Sequence, residues 1–168
     1  MQAAKIERAL VIGAGTMGHG IAQVLAQAGI ATTLADVSQE TLDRARATVE
    51  KNLAKGVDKG KVSAEERDAA LSRLSTSTDT AAAADGVQCV VEAVPEKLDL
   101  KMAILRPLGE QLGPEVLIAS NTSSLSLTEL AASIPHPERV TGMHFFNPVH
   151  IMKLVEVVRA DQSSDAAV

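Results

Sequence analysis

His144 and Glu156 are the two residues of this chain best suited to proton chemistry near neutral pH. A neutral imidazole, with an ordinary pKa of about 6.5, can take the proton of a hydroxyl while hydride leaves the same carbon. Such an imidazole needs a partner to orient it. Glu156 lies within Leu154-Val155-Glu156-Val157-Val158, a carboxylate among apolar residues, where burial without a partner costs several kcal/mol. A buried His144 and Glu156 pair satisfies both groups. Taken singly, His144 reads first as a hydrogen-bonded core or loop histidine, and Glu156 reads equally as a carboxylate facing solvent on an edge strand. The pairing moves the catalytic reading ahead. His19, between glycines, His136, between prolines, and His150 have no comparable context.

A second constellation stands near the N-terminus. Gly13-Ala14-Gly15-Thr16-Met17-Gly18 follows the apolar run Ala9-Leu10-Val11-Ile12 and opens a segment with helical periodicity from Ile21 to Ala28. In a strand, turn and helix start of this kind each glycine has a mechanical role. The first permits the turn, the second lets a pyrophosphate approach the backbone, and the third lets the helix pack on the strand. Free N–H groups at the helix N-terminus receive the phosphate charge. A glycine turn serving packing alone is the bland alternative. Against it, the strand Ala31-Thr32-Thr33-Leu34-Ala35 ends in Asp36, 18 residues after Gly18. A carboxylate there accepts the ribose hydroxyls of an adenosine and repels a 2′-phosphate, which favours NAD over NADP.

Strand-like runs recur at 8–12, 31–36, 74–77, 87–94, 116–120, 139–144 and 154–158, with helical patterns at 16–28, 39–55, 64–74, 96–108 and 125–133. Strands alternating with amphipathic helices predict an α/β fold: a doubly wound, mostly parallel sheet covered on both faces. The last two strands are joined by a short loop, so one of them is expected to run antiparallel. The long insertion 39–74 reads as a helical hairpin joined at Lys55-Gly56-Val57-Asp58-Lys59-Gly60, and 81–84 as a short helix. The tip carries Lys51, Lys55, Lys59 and Lys61, either a positive patch for a phosphorylated ligand or a solvated helix end. Ser120-Asn121-Thr122-Ser123-Ser124 closes one strand and Thr141-Gly142-Met143-His144-Phe145-Phe146-Asn147-Pro148 another. The carboxyl ends of parallel strands line the ligand crevice, so both clusters should face the cofactor.

Bulk composition narrows the function further. A chain of 168 residues, 46% hydrophobic, can bury roughly 70% of its unfolded surface in one core, and one domain over 1–168 is expected. The net charge is -5, and Phe145 and Phe146 are the only aromatic residues. Neither a basic field nor stacking platforms exist for nucleic acid. Cys89 has no partner cysteine, so a disulfide is excluded, and thiolate metal coordination is not expected. Residues 1–9 lack the apolar core of a signal peptide, and no run reaches the roughly 18 apolar residues of a membrane span. A cytoplasmic location and no membrane partner are expected.

These residues resemble the N-terminal NAD-binding domain of the L-3-hydroxyacyl-CoA dehydrogenases, including the 3-hydroxybutyryl-CoA dehydrogenases. The likeness covers essentially the whole chain. It rests on Gly13 to Gly18, Glu92-Ala93-Val94-Pro95-Glu96, Ser120 to Ser124, and His144-Phe145-Phe146-Asn147-Pro148 followed by Met152-Lys153-Leu154-Val155-Glu156-Val157. The resemblance implies a Rossmann-type fold and oxidation of a 3-hydroxyacyl-CoA, as in fatty acid β-oxidation. It makes His144 the base, Glu156 its orienting carboxylate and Ser123 a hydroxyl near the substrate oxygen and the nicotinamide. Gly13, Gly15, Thr16, Met17, Gly18 and Asp36 would hold the adenosine and pyrophosphate, and Asn147, Glu96 and Lys101 the nicotinamide end. Asn52 and Lys59 of the hairpin would meet coenzyme A, with Asn52 standing where some relatives carry serine. Family members continue into a helical domain that closes the site and forms a homodimer. The chain is therefore expected to be a fragment, or a subunit needing a helical partner. Two other readings are a non-catalytic NAD-binding module and a related β-hydroxy acid dehydrogenase that does not use coenzyme A esters.

Overall fold

The computed structural model describes residues 5–168; residues 1–4, part of the stretch read for a targeting signal, lie outside the described residues. Seven strands form one sheet: β1 (Arg8–Ile12), β2 (Ala31–Ala35), β3 (Leu74–Ser77), β4 (Cys89–Glu92), β5 (Leu117–Ser120), β6 (Val140–Phe145) and β7 (Val155–Arg159). Their order is β3-β2-β1-β4-β5-β6-β7. All neighbours are parallel except β6 and β7, which are antiparallel as their short connection requires. Six helices connect them: α1 (Gly18–Gln27), α2 (Gln39–Asp58), α3 (Ala64–Arg73), α4 (Thr80–Ala83), α5 (Leu98–Gln111) and α6 (Leu127–Ala132). None of the described helices is long and apolar enough to cross a membrane.

The central strands read as continuous apolar runs because helices cover both of their faces. On one face Val11, Val91 and Ala119 pack with Ile21 and Ala22 of α1 and with Leu42 and Val49 of α2. On the other, Leu10, Val90 and Ile118 pack with Leu105 of α5 and Leu130 of α6. The chain winds outward from β1 in both directions, so a crevice opens between the carboxyl ends of β1 and β4. Arg139, expected inside a strand, instead closes a 3-10 turn, Pro137–Arg139. Its buried guanidinium donates to the carbonyls of Gly109 and Leu112 at the C-terminus of α5, where the helix dipole favours a cation.

The hairpin departs from the expected bounds. α2 continues through Gly56 to Asp58, and the turn starts at Lys59. A single glycine costs a helix only about 1 kcal/mol relative to alanine. Here its missing side chain lets Val62 fold back against the helix, since a Cβ on Gly56 would lie 3.1 Å from Val62 Cγ2. α3 starts with a full capping box between Ser63 and Glu66. α5 starts at Leu98 rather than Glu96 and ends at Gln111, beyond the expected Leu108.

Candidate active site

Three glycines shape the crevice floor. Gly13 has φ +96, and a Cβ there would lie 2.8 Å from the Ala93 carbonyl, so only glycine fits the turn. A Cβ on Gly15 would meet nothing within 4 Å; it would stand in the crevice itself. A Cβ on Gly18 would run into the Gly13 carbonyl oxygen. Side chains of Ser38, Ser63, Asp79 and Ser126 cap α2, α3, α4 and α6; α1 and α5 have no side-chain cap, and α1 also has no acidic residue in its first turn, where α5 has Asp99. The N–H groups of α1 are left to an anionic ligand.

Asp36 sits at the lip. Ala14 N donates to Oδ2 at 2.9 Å and Ser38 N to Oδ1 at 3.0 Å, which fixes the carboxylate while part of it stays open. A cavity of about 600 Å³ runs from this point, lined by Gly13, Gly15, Thr16, Met17 and Asp36. Its apolar wall consists of Val37, Val94, Leu100 and Ile104. Val37 is 93% exposed, an apolar surface suited to a flat base. An open glycine, an uncapped helix and a fixed carboxylate fit the pyrophosphate and ribose of a dinucleotide.

Beyond β4 the floor is polar. Glu92 and Lys101 are 0% and 1% exposed, with Lys101 Nζ donating to Glu92 Oε1 at 2.7 Å. The ammonium also lies 3.3 Å from Glu96 Oε2. Lys101 is therefore enclosed beneath Glu96, and its charge reaches the crevice through that carboxylate; direct grip on a cofactor, the sequence expectation, finds little exposed surface. Glu96 Oε1 accepts from Thr122 Oγ1, Ser123 N and Ser124 N. Desolvation raises the Glu96 pKa, but the Thr122 and Ser123 hydrogen bonds, Lys101 and Ser124 together outweigh it and hold the carboxyl at about 2. A depressed carboxylate contributes stability above its ordinary value of 4.5, and that contribution is lost as pH falls through the folded value. Thermal melts should therefore show the wild type losing Tm more steeply than Glu96→Gln between pH 4.5 and 2; parallel curves would contradict the assignment. Ser123 itself is exposed, and its hydroxyl makes no hydrogen bond among the described residues.

His144 and Glu156 are direct cross-strand neighbours of β6 and β7, and Nδ1 of the imidazole lies 2.8 Å from Glu156 Oε2. An ionised carboxylate only accepts hydrogen bonds, so Nδ1 is the donor in this contact, and in the neutral ring Nε2 is the acceptor. Phe146 leans on the imidazole with ring centroids 4.7 Å apart. The expected burial of this pair is corrected: the Glu156 side chain is 53% exposed and His144 22%. β7 is an edge strand with every residue exposed, so no layer among the described residues covers the carboxylate. Pairing holds without burial because cross-strand register alone brings the two side chains together.

In the sequence Asn121 stands out only as part of a polar cluster. Its Oδ1 accepts the Phe145 N–H at 2.8 Å, tying the serine turn to the residue beside His144. Asn147 is exposed in the loop after β6. That loop is anchored over α1 by buried Val149, which a Cβ on Gly20 would meet at 2.8 Å. In the hairpin, Asn52 Nδ2 donates to Gln23 Oε1 at 3.3 Å, and Lys59 is exposed at the C-terminus of α2. His150 is held below its ordinary pKa by burial, then by His19 and Lys55.

A doubly wound sheet with a naked glycine turn at its switch point, and a histidine and carboxylate pair farther along the same edge, defines a dinucleotide-binding domain of the dehydrogenase class. Residues 8–168 match the family model described as 3-hydroxyacyl-CoA dehydrogenase, NAD binding domain. The chain belongs to that family, and its cofactor is NAD. It is 46% identical over 153 residues to a 3-hydroxyadipyl-CoA dehydrogenase of Escherichia coli, covering 91% of this chain and 32% of that protein. It is 44% identical over 164 residues to a 3-hydroxybutyryl-CoA dehydrogenase of Bradyrhizobium diazoefficiens, covering 98% and 56%. The crystal structure of 3-hydroxybutyryl-CoA dehydrogenase from Escherichia coli superposes with a TM-score of 0.94 at 43% identity, over 98% of this chain and 34% of that one. The chain thus spans between about a third and just over half of the length of these relatives.

Proposed function

We propose that residues 1–168 form the cofactor-binding and proton-transferring domain of an enzyme that interconverts (S)-3-hydroxyacyl-CoA and 3-oxoacyl-CoA. Bound NAD supplies the acceptor for the hydride leaving C3 of the acyl chain. His144 Nε2 takes the 3-hydroxyl proton, and Glu156 stabilises the imidazolium that results. Ser123 orients the substrate oxygen, Glu96 and Asn147 hold the nicotinamide end, and Asp36 the adenosine ribose. The observation that carries this reading is the 2.8 Å contact between His144 Nδ1 and Glu156 Oε2, at the same sheet edge as the serine turn.

Asn52 and Lys59 are proposed to hold the coenzyme A moiety. A further helical domain, on a continuation of this chain or on a separate subunit, would close the site and build a homodimer. Support comes from the exposed apolar residues Ile151, Leu154, Val155 and Val157 around β7, which such a domain would cover. We place the protein in the cytoplasm, where Cys89 stays a buried free thiol, pushed up to about 12 by desolvation.

Adding 3-oxobutyryl-CoA and NADH to the complete protein should bleach the nicotinamide absorbance band, and no turnover there would overturn the proposal. Lys59→Glu should raise KM for the thioester about tenfold with kcat nearly unchanged, the loss of one charge-assisted phosphate contact. An unchanged KM would remove the coenzyme A assignment from the hairpin.

A further inference from the structure

The enclosed Glu92 and Lys101 pair has no evident role in stability. Replacing a buried ion pair with apolar side chains of similar volume is often neutral or stabilising, because desolvation offsets the attraction. Yet this pair is satisfied at nearly every atom. Glu92 Oε1 accepts from Lys101 Nζ and from Val94 N, each at 2.7 Å, while Oε2 accepts from Ser120 Oγ at 2.6 Å. Lys101 Nζ donates also to the Val94 carbonyl at 3.2 Å.

The pair is not isolated in the core. It lies under the carboxyl ends of β4 and β5, where Glu92 and Ser120 are register partners. Two links lead from it to the serine turn, the first from Lys101 Nζ to Glu96 Oε2. Glu96 Oε1 in turn gathers Thr122 Oγ1 and the Ser123 and Ser124 N–H groups. Ser120 closes the circuit from below, since its Oγ accepts the Thr122 N–H at 3.3 Å. A single chain of charged contacts therefore links the end of β4, the start of α5 and the serine turn.

We propose that Glu92 and Ser120 are positioning residues which, through Lys101, fix Glu96 and the turn at Ser123 in the geometry that receives the nicotinamide half of NAD. The proposal rests on the cofactor reading above. Glu92 holds the ammonium, and the ammonium holds Glu96 with one carboxylate oxygen toward the turn. The adenosine half lies over Asp36 and the glycine turn and takes no contact from Glu96 or the serine turn; it shares with the circuit only Val94, whose side chain lines the cavity there and whose backbone the pair holds. Loosening the circuit should therefore weaken one half of the cofactor site and spare the other.

That asymmetry supplies the test. NADH, read by its own fluorescence, and ADP-ribose, which lacks the nicotinamide, are titrated into the wild type, the double variant Glu92→Met/Lys101→Met, and Ser120→Ala. The double variant should keep its Tm within a few degrees, bind ADP-ribose within twofold of wild type, and lose at least tenfold in NADH affinity. Ser120→Ala, which keeps the ion pair, should fold normally and show a smaller loss confined to NADH. Unchanged NADH affinity in the variants, or equal weakening of both ligands, would overturn the positioning role. If the double variant does not fold, the Ser120→Ala comparison decides alone. A wild type that binds neither ligand would instead sink the cofactor reading, and the positioning role with it.

Discussion

His144→Ala is expected to lower kcat of the complete enzyme by roughly a hundred- to ten-thousand-fold, the usual range for removing a positioned general base. Its Nδ1 lies 2.8 Å from Glu156 Oε2, which in the neutral ring leaves Nε2 as the acceptor. Alanine offers no acceptor, so the 3-hydroxyl proton has no destination while hydride departs. NADH affinity should change little, because the glycine turn, Asp36 and Glu96 make no hydrogen bond to His144. Tm should also change little, since the partner of His144 is a half-exposed carboxylate on the edge strand. Steady-state kinetics paired with NADH titration checks the split. Activity close to wild type would remove His144 from the chemistry, and a parallel loss of NADH binding would make it a cofactor residue.

The second large effect lies at the other end of the cofactor. Gly18→Ala adds one methyl group, which would be driven into the Gly13 carbonyl. That oxygen is backbone, one residue past β1, which β2 and β4 fix on both sides. The clash therefore has to be relieved by moving α1 off the sheet. Overpacking of this kind costs about 1–3 kcal/mol, and the displaced helix start carries the N–H groups meant for pyrophosphate. NADH and ADP-ribose should weaken together, by more than tenfold, with a lowered Tm. This pattern is opposite to that expected for Ser120→Ala. Retained affinity for both ligands would show that α1 is not the phosphate cradle.

The glycine turn and Asp36 were legible in the sequence because their roles are local: a turn, a close approach and a carboxylate at a strand end act within one βαβ unit. The strand and helix alternation was legible for a similar reason, since covering both faces of a parallel sheet leaves apolar runs that periodicity detects. Helix ends were less so. Gly56 read as the start of the hairpin turn, but α2 runs past it to Asp58, and α5 ends at Gln111 rather than at Leu108.

Glu92 shows where pattern reading stopped short. It stands in an apolar run, Cys89-Val90-Val91-Glu92, with the same signature that drew attention to Glu156. The two carboxylates have opposite environments, 0% against 53% exposed. One ends a central strand under α5, and the other lies on an edge strand.

Residue types, their spacing and the order of elements along the chain were enough to define a doubly wound dinucleotide fold and to pair His144 with Glu156, because those features depend on neighbours close in sequence or on the chemical needs of two side chains. Burial and the wider contact network had to come from the folded arrangement. The lateral order of strands and the register between them set which ends become neighbours, and the layer above each strand sets how much water its side chains see. That is why Lys101 lies enclosed beneath Glu96 and Asn121 reaches across to Phe145.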